Sequence, residues 1–207
     1  AFGILDCSAM MLVVPYDDLQ YSVGYYKNGT GFDSLDEFLG YFIAFVAKMD
    51  EYVGLELDPA DPLDQNVRTR YTVKANASGG GAAYYGTDHV GIHSASVKAI
   101  FSYGWGTLHE FAHGYQGSFG KASGNFLGEV SNNILGHYIQ LDKSIYKASD
   151  DWLGSYAQIE DMFNGDRLKD DQGTFLKKRL YLVCQLLDAF EGPQTYAKMF
   201  RTYCADA

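Results

Sequence analysis

His109-Glu110-Phe111-Ala112-His113 has the pattern H-E-x-x-H. On a helix its two histidines, four residues apart, stand one turn apart on one face, close enough to hold a single metal ion. Glu110 sits about 100° round the helix from His109, beside such an ion rather than on it. Two neutral imidazoles suit zinc, and a carboxylate so placed can take a proton from zinc-bound water as it attacks a carbonyl. Thr107 offers an N-cap just ahead of the motif, and Gly114 and Gly117 offer stops just after it. With 5 histidines in 207 residues, chance supplies roughly 0.004 such matches, so the pattern is read as a site.

A catalytic zinc needs a third protein ligand and an open fourth position. Downstream, Gly128-Glu129-Val130-Ser131-Asn132-Asn133 follows a glycine-bearing loop from Gly117 to Gly124 and reads as part of the next helix. A hairpin return would bring Glu129 to the metal. Asn133, one turn further on the same face, is placed to fix a ligand imidazole by a hydrogen bond. The metal set is then His109, His113 and Glu129.

Outward from this centre, the remaining signals divide. Upstream, Met10 to Val14 is a short apolar run ended by Pro15 and reads as a strand leading into a loop. Ser34 with Glu37 forms a capping box. Leu35, Phe38, Leu39, Phe42, Ile43, Val46, Met49 and Val53 then repeat at helical spacing until Gly54. Arg68 to Ala77 alternates as a strand, and Ala82 to Tyr85 is a second extended piece. From Ser94 onward the signals favour helix, over Ala95 to Tyr103, Thr107 to Gln116, Phe126 to Leu141, Trp152 to Phe163, Phe175 to Phe190 and Pro193 to Tyr203. Strands early and helices late argue an α+β fold, a small sheet packed on helices with a helical C-terminal part.

Composition narrows the function classes. The chain is 47% hydrophobic and 20% charged, a globular balance. Its net charge of −10 has the wrong sign for a phosphate backbone, so no nucleic-acid partner is expected. No apolar run has the length of a membrane span. The first residues, Ala1-Phe2-Gly3, read as a processed product or an excised domain.

His109 to Gly117 together with Gly128 to Asn133 resembles the enhancin-like, mucin-degrading zinc metallopeptidases of the gluzincin type. Gly80-Gly81-Ala82-Ala83-Tyr84-Tyr85-Gly86 looks like the segment before that family's active-site helix. Met11 to Pro15 looks like its early strand, and Tyr181 to Tyr203 like its closing helices. The resemblance implies a zincin-like α+β domain with a small N-terminal mixed sheet: residues 1–117 carry the sheet and the active-site helix, and residues 118–207 form a helical subdomain with the third ligand. It implies one Zn2+ per chain on His109, His113 and Glu129, with Glu110 as general base, and hydrolysis of peptide bonds in mucin-like glycoproteins through a zinc-activated water. It also implies flanking domains or a larger assembly, an extracellular or virus-particle setting and, from Ala82 to Gly86, a leaning towards the insect-virus enhancins. By the logic of such enzymes, Ala82 to Tyr85 is an edge strand that pairs with the substrate backbone. Tyr84, Tyr85, Tyr138 and Tyr156 are the candidate oxyanion donors.

Other features take plainer readings. His89 and His93 share the i,i+4 spacing, but Val90, Gly91 and Ile92 between them favour a loop or strand over a second metal site. His137 reads as structural. Cys184 and Cys204 either pair across a helical hairpin or stay buried thiols. The competing functional readings are a non-catalytic component of a larger assembly on the same fold, against which the intact Glu110 speaks, and a peptidase acting on unglycosylated peptides.

Overall fold

The computed structural model describes residues 1–27, 29–66, 70–76, 82–86, 88–116, 128–149, 152–153, 156–164 and 172–206. The Gly117 to Gly124 loop, the start of the helix expected from Phe126, and Gly80-Gly81 therefore lie outside the described residues.

Five strands form one mixed sheet: β1 (Phe2–Asp6), β2 (Met10–Pro15), β3 (Tyr71–Asn76), β4 (Ala83–Tyr85) and β5 (His89–His93), in the order β1-β2-β3-β5-β4. β1 and β2 are an antiparallel hairpin with Phe2 opposite Pro15 and Asp6 opposite Met11. β2, β3 and β5 run parallel, with Met10 opposite Tyr71 and Val73 opposite Val90. β4 returns antiparallel to β5 and forms one edge. Alternation along β2 puts Met10, Leu12 and Val14 in the core, each fully buried. Past Pro15 the chain turns into a 3-10 helix, Tyr16–Tyr21, where a loop is expected. β1 is the strand that sequence reasoning missed: its outer face leaves Phe2 and Ile4 exposed, so it carries no inward apolar pattern of its own.

α1 (Leu35–Val53) begins and ends where its caps predict. The Ser34 hydroxyl accepts from the Glu37 amide at 3.1 Å, and Glu37 Oε2 accepts from the Asp33 amide at 2.7 Å. Gly54 takes a φ of 77°, a left-handed turn that costs glycine nothing. The buried stripe is centred on Phe38, Phe42, Phe45 and Met49, with Tyr41 and Val46 flanking it. Leu35 and Ile43, expected inside, are each 42% exposed because they lie off the edge of that stripe.

The remaining helices are α2 (Trp105–Ala112), α3 (Ser131–Leu141), α4 (Tyr156–Asn164), α5 (Gln172–Asp188) and α6 (Pro193–Asp206). The piece expected over Ala95 to Tyr103 is a 3-10 helix, Ser94–Phe101. His89 and His93 stand at the two ends of β5, where four residue steps along the strand set them about 13 Å apart, too far for one ion. α1 packs along α6 and against α3, and α3 packs on α2, so both halves of the chain share one core. Among the described residues, no helix is long and apolar enough to cross a membrane.

Candidate active site

The motif helix α2 starts earlier than Thr107 suggests. Gly104 is its N-cap, with no side-chain hydrogen bond, and Trp105 opens the first turn. Its far end tightens into a 3-10 turn, His113–Tyr115. The last four carbonyls of a helix lack partners inside it, and here Tyr71 of β3 donates its hydroxyl to the Phe111 carbonyl at 2.9 Å. Gly114 permits that approach: a Cβ on it would lie 2.5 Å from the Tyr71 hydroxyl oxygen. Tyr115 closes the turn on α1, donating to Asp50 Oδ1 at 2.7 Å. Phe111 is fully buried, its ring 5.4 Å from Phe42, 5.2 Å from Phe45 and 4.6 Å from Tyr71. The motif is thereby held between helix α1 and strand β3.

The second half of the site comes from α3 and the turn before it. Glu129 stands in the turn of residues 128–130 rather than in the expected helix, and α3 begins at Ser131. α3 is buried from Ser131 to Gln140, polar residues included, and buried polar groups need partners. The motif histidines supply several of them.

Three atoms converge. His109 Nε2 lies 3.2 Å from His113 Nε2 and 3.2 Å from Glu129 Oε2, and His113 Nε2 lies 3.5 Å from the same oxygen. A tetrahedral ion with bonds of about 2.0–2.1 Å sets its ligand atoms about 3.3–3.4 Å apart. The triangle therefore has the dimensions of one face of a zinc tetrahedron, and the donor set of two imidazoles and a carboxylate suits that metal.

The far sides of both rings are held as metal ligands require. His113 Nδ1 is 2.5 Å from Gln116 Oε1. The amide of Gln116 is oriented by its own nitrogen, which donates to the Gly128 carbonyl and, at 2.7 Å, to Ser131 Oγ. With the Gln116 oxygen facing the ring, Nδ1 carries the proton and Nε2 presents its lone pair. His109 Nδ1 is 3.1 Å from Asn133 Oδ1, which also accepts from the Trp105 indole N–H. Asn133 in turn donates to the Glu129 carbonyl. Asn132, fully buried, sets its amide nitrogen 2.9 Å from His109 Nδ1 and 3.2 Å from His113 Nε2. Trp105 lies against the His109 ring at 4.6 Å and stacks on Trp152 at 4.4 Å.

Electrostatics follow from this packing. Hydrogen bonds from His109 and His113 hold the Glu129 carboxyl well below the usual carboxylate range. Burial pulls the His113 imidazolium down, but the Glu129 carboxylate and the Gln116 oxygen outweigh it, and its pKa is raised. Burial pushes the Glu110 carboxyl up, against the opposing pull of His109 and His113. A carboxyl moved towards neutrality in a cleft is the usual state of a proton-transferring group.

Of the residues singled out in the sequence, His109, Glu110, His113, Glu129 and Asn133 are brought together. Ala82, Ala83, Tyr84 and Tyr85 lie on or beside edge strand β4, whose inner neighbour is β5. The two tyrosines face opposite ways: the Tyr85 ring is 6.5 Å from the His113 ring, while Tyr84 lies across Gly91 with its hydroxyl 3.3 Å from His89 Nε2. The Tyr138 hydroxyl donates to Asp188 at 2.7 Å. The side chain of Tyr156 lies outside the described ones, as does that of Cys204, and with it the pairing of Cys184, whose side chain is buried. Gln116, Ser131, Asn132 and Trp105 were missed. The signal for Gln116 was available, since i+3 from a helical histidine puts a side chain at its ring.

The sequence matches the family described as peptidase M60, enhancin and enhancin-like, over residues 5–206. No curated protein matches it. Among solved structures, a functionally unknown conserved protein from Bacillus anthracis superposes with a TM-score of 0.73 at 15% identity, covering 98% of this chain and 40% of that one. The catalytic module of the Clostridium perfringens metalloprotease ZmpA gives 0.63 at 18% identity, covering 97% and 38%. The M60 catalytic domain of C. perfringens ZmpC, solved with the sialyl T antigen, gives 0.59 at 19% identity, covering 97% and 39%. The chain thus spans about two-fifths of the length of these solved chains. With its H-E-x-x-H helix, its converging His/His/Glu group and a family match over nearly its whole length, the chain belongs to the peptidase M60 family of enhancin and enhancin-like metallopeptidases.

Proposed function

We propose that the chain is a zinc-dependent endopeptidase domain that cleaves the polypeptide of mucin-like glycoproteins. The observation that carries the reading is the convergence of His109 Nε2, His113 Nε2 and Glu129 Oε2 at zinc-ligand separations, with Glu110 beside them. One Zn2+ per chain held there supplies Lewis-acid activation of a water and of the scissile carbonyl. Glu110 takes the proton of the attacking water and passes it to the leaving amine. Gln116 sets its amide oxygen at Nδ1 of His113, and Asn133 sets its own at Nδ1 of His109, which orients each ring with Nε2 towards Glu129. β4 offers its outer edge to an extended substrate backbone, and the small Ala82 and Ala83 let that backbone come close. Of the tyrosines considered as oxyanion donors, we assign Tyr85, the one whose ring stands beside His113.

The substrate class rests on the family resemblance and on the glycan antigen bound to ZmpC. Flanking domains accord with relatives of more than twice this length, and an extracellular setting goes with a mucin-like substrate. The solved relatives named are bacterial, and an insect-virus origin rests on Ala82 to Gly86 alone. The division into residues 1–117 and 118–207 is a division of ligand supply, two histidines from the first part and the glutamate from the second.

Metal content per chain, measured by mass spectrometry after dialysis in metal-free buffer, tests the reading. Near-stoichiometric zinc that is lost in Glu129→Ala is the expected result. Absent zinc after refolding with the metal would overturn it.

A further inference from the structure

Behind the edge strand, between the sheet, the 3-10 helix Ser94–Phe101 and α2, is a cavity of about 140 Å³. Its rim is shared with the site: Ala82 and Ala83 of the edge strand line it, and so does Glu110. Its walls are mainly apolar, with Val90 and Ile92 of β5, Ile100 of the 3-10 helix and Phe111 of α2. All four of these residues are buried. Among the described residues, Glu110 is the only carboxylate on its lining and no cation lines it. A cavity of this size with aliphatic and aromatic walls is about what holds a single benzene ring. Ser96, Ser102 and Thr107 are on the lining too, but the cavity is too small for a sugar.

We infer that this cavity is a specificity pocket for one unglycosylated apolar side chain, of leucine to phenylalanine size, at a position flanking the scissile bond. The inference rests on the peptidase reading, because a backbone paired on β4 beside Glu110 would turn every second side chain towards the sheet side of the strand. Substrate choice would then have two independent parts, a glycan recognised elsewhere and an apolar residue recognised here. Gly106 supplies the means of testing it. It lines the cavity from α2, and a Cβ there would meet nothing within 4 Å. A leucine fits the helix better than glycine does, so Gly106→Leu fills the pocket without opposing the fold. Ala99→Leu adds bulk from the opposite wall.

The experiment uses glycopeptides that carry one O-linked GalNAc and differ only at the residues either side of the cleaved bond, with Gly, Ala, Leu, Phe or Asp there. For the zinc-loaded protein, kcat/KM with Leu or Phe at one of the two positions should exceed that with Gly or Asp by about tenfold or more. Gly106→Leu and Ala99→Leu should remove that preference, bringing kcat/KM for the Leu and Phe peptides down to about that of the Ala peptide. No preference in the unaltered protein, or one untouched by both variants, overturns the pocket. If no peptide is cleaved at all, the peptidase reading fails separately. The pocket is then decided by NMR of the Val90, Ile92 and Ile100 methyls during titration with N-acetyl-leucinamide. Saturable shifts that vanish in Gly106→Leu support it, and their absence in the unaltered protein overturns it.

Discussion

Each motif histidine has a partner on either side, the Glu129 carboxylate at Nε2 and an amide oxygen at Nδ1. Outer partners of this kind typically contribute 10–100-fold to metal affinity. Gln116→Ala should therefore weaken zinc binding by about tenfold or more in a competition titration with a chromogenic chelator. Glu110→Gln keeps the shape and removes the proposed base: hydrolysis should fall by about 10²–10⁴-fold while zinc stoichiometry is unchanged. Without metal, the His113–Glu129 pair should be visible in stability. The Glu129 pKa is lowered, so its contribution is complete above the ordinary 4.5 and is lost as pH falls. The His113 pKa is raised, so its contribution is complete below the ordinary 6.5 and is lost as pH rises through the raised value. In EDTA, the melting temperature of the unaltered protein should exceed that of Glu129→Gln most between pH 4.5 and 6.5. The gap should close above that window, and calorimetry across pH reads it directly.

At the scale of elements, α1 is the one whose ends were most legible, because capping is local chemistry. Ser34 and Gly54 act within one turn of their own positions. Ser34→Ala should cost about 1 kcal/mol in urea unfolding, the ordinary value of an N-cap. Glu37 does more than close the box, since its Oε1 also accepts from the Tyr103 hydroxyl at 3.1 Å and from Lys147. Those partners lie 66 and 110 residues away, and no local pattern points to them. The same contrast explains the starts of α2 and α3. Thr107 and residues 126–130 carry helix-compatible chemistry, yet α2 begins two residues before Thr107 and α3 begins after Glu129. Trp105 must reach Asn133, and Glu129 must swing to the imidazoles, and both needs are tertiary. β1 went unread for a related reason: it pairs by its backbone and presents Phe2 and Ile4 outward, so hydrogen bonding to β2 rather than burial makes it a strand.

For the whole molecule, the site is as rigid as the core beneath it. Phe111, between the two motif histidines, reaches α1 and β3 at once. Phe111→Ala should cost about 3–5 kcal/mol in chemical denaturation, a cavity-forming change in a packed core. It should also weaken zinc binding, because the two histidines flank the lost anchor. By itself the sequence determined the α+β class, the motif helix with its candidate base, a candidate third ligand, and an extended segment at Ala82 to Tyr85. All of these are set by period, spacing and residue chemistry within a few turns of chain. Only the tertiary structure decided which way each tyrosine faces, which amides hold the imidazoles, and that a mainly apolar cavity has Glu110 on its lining. Those depend on how surfaces distant in sequence meet, and close packing against a particular neighbour is a property no single segment contains.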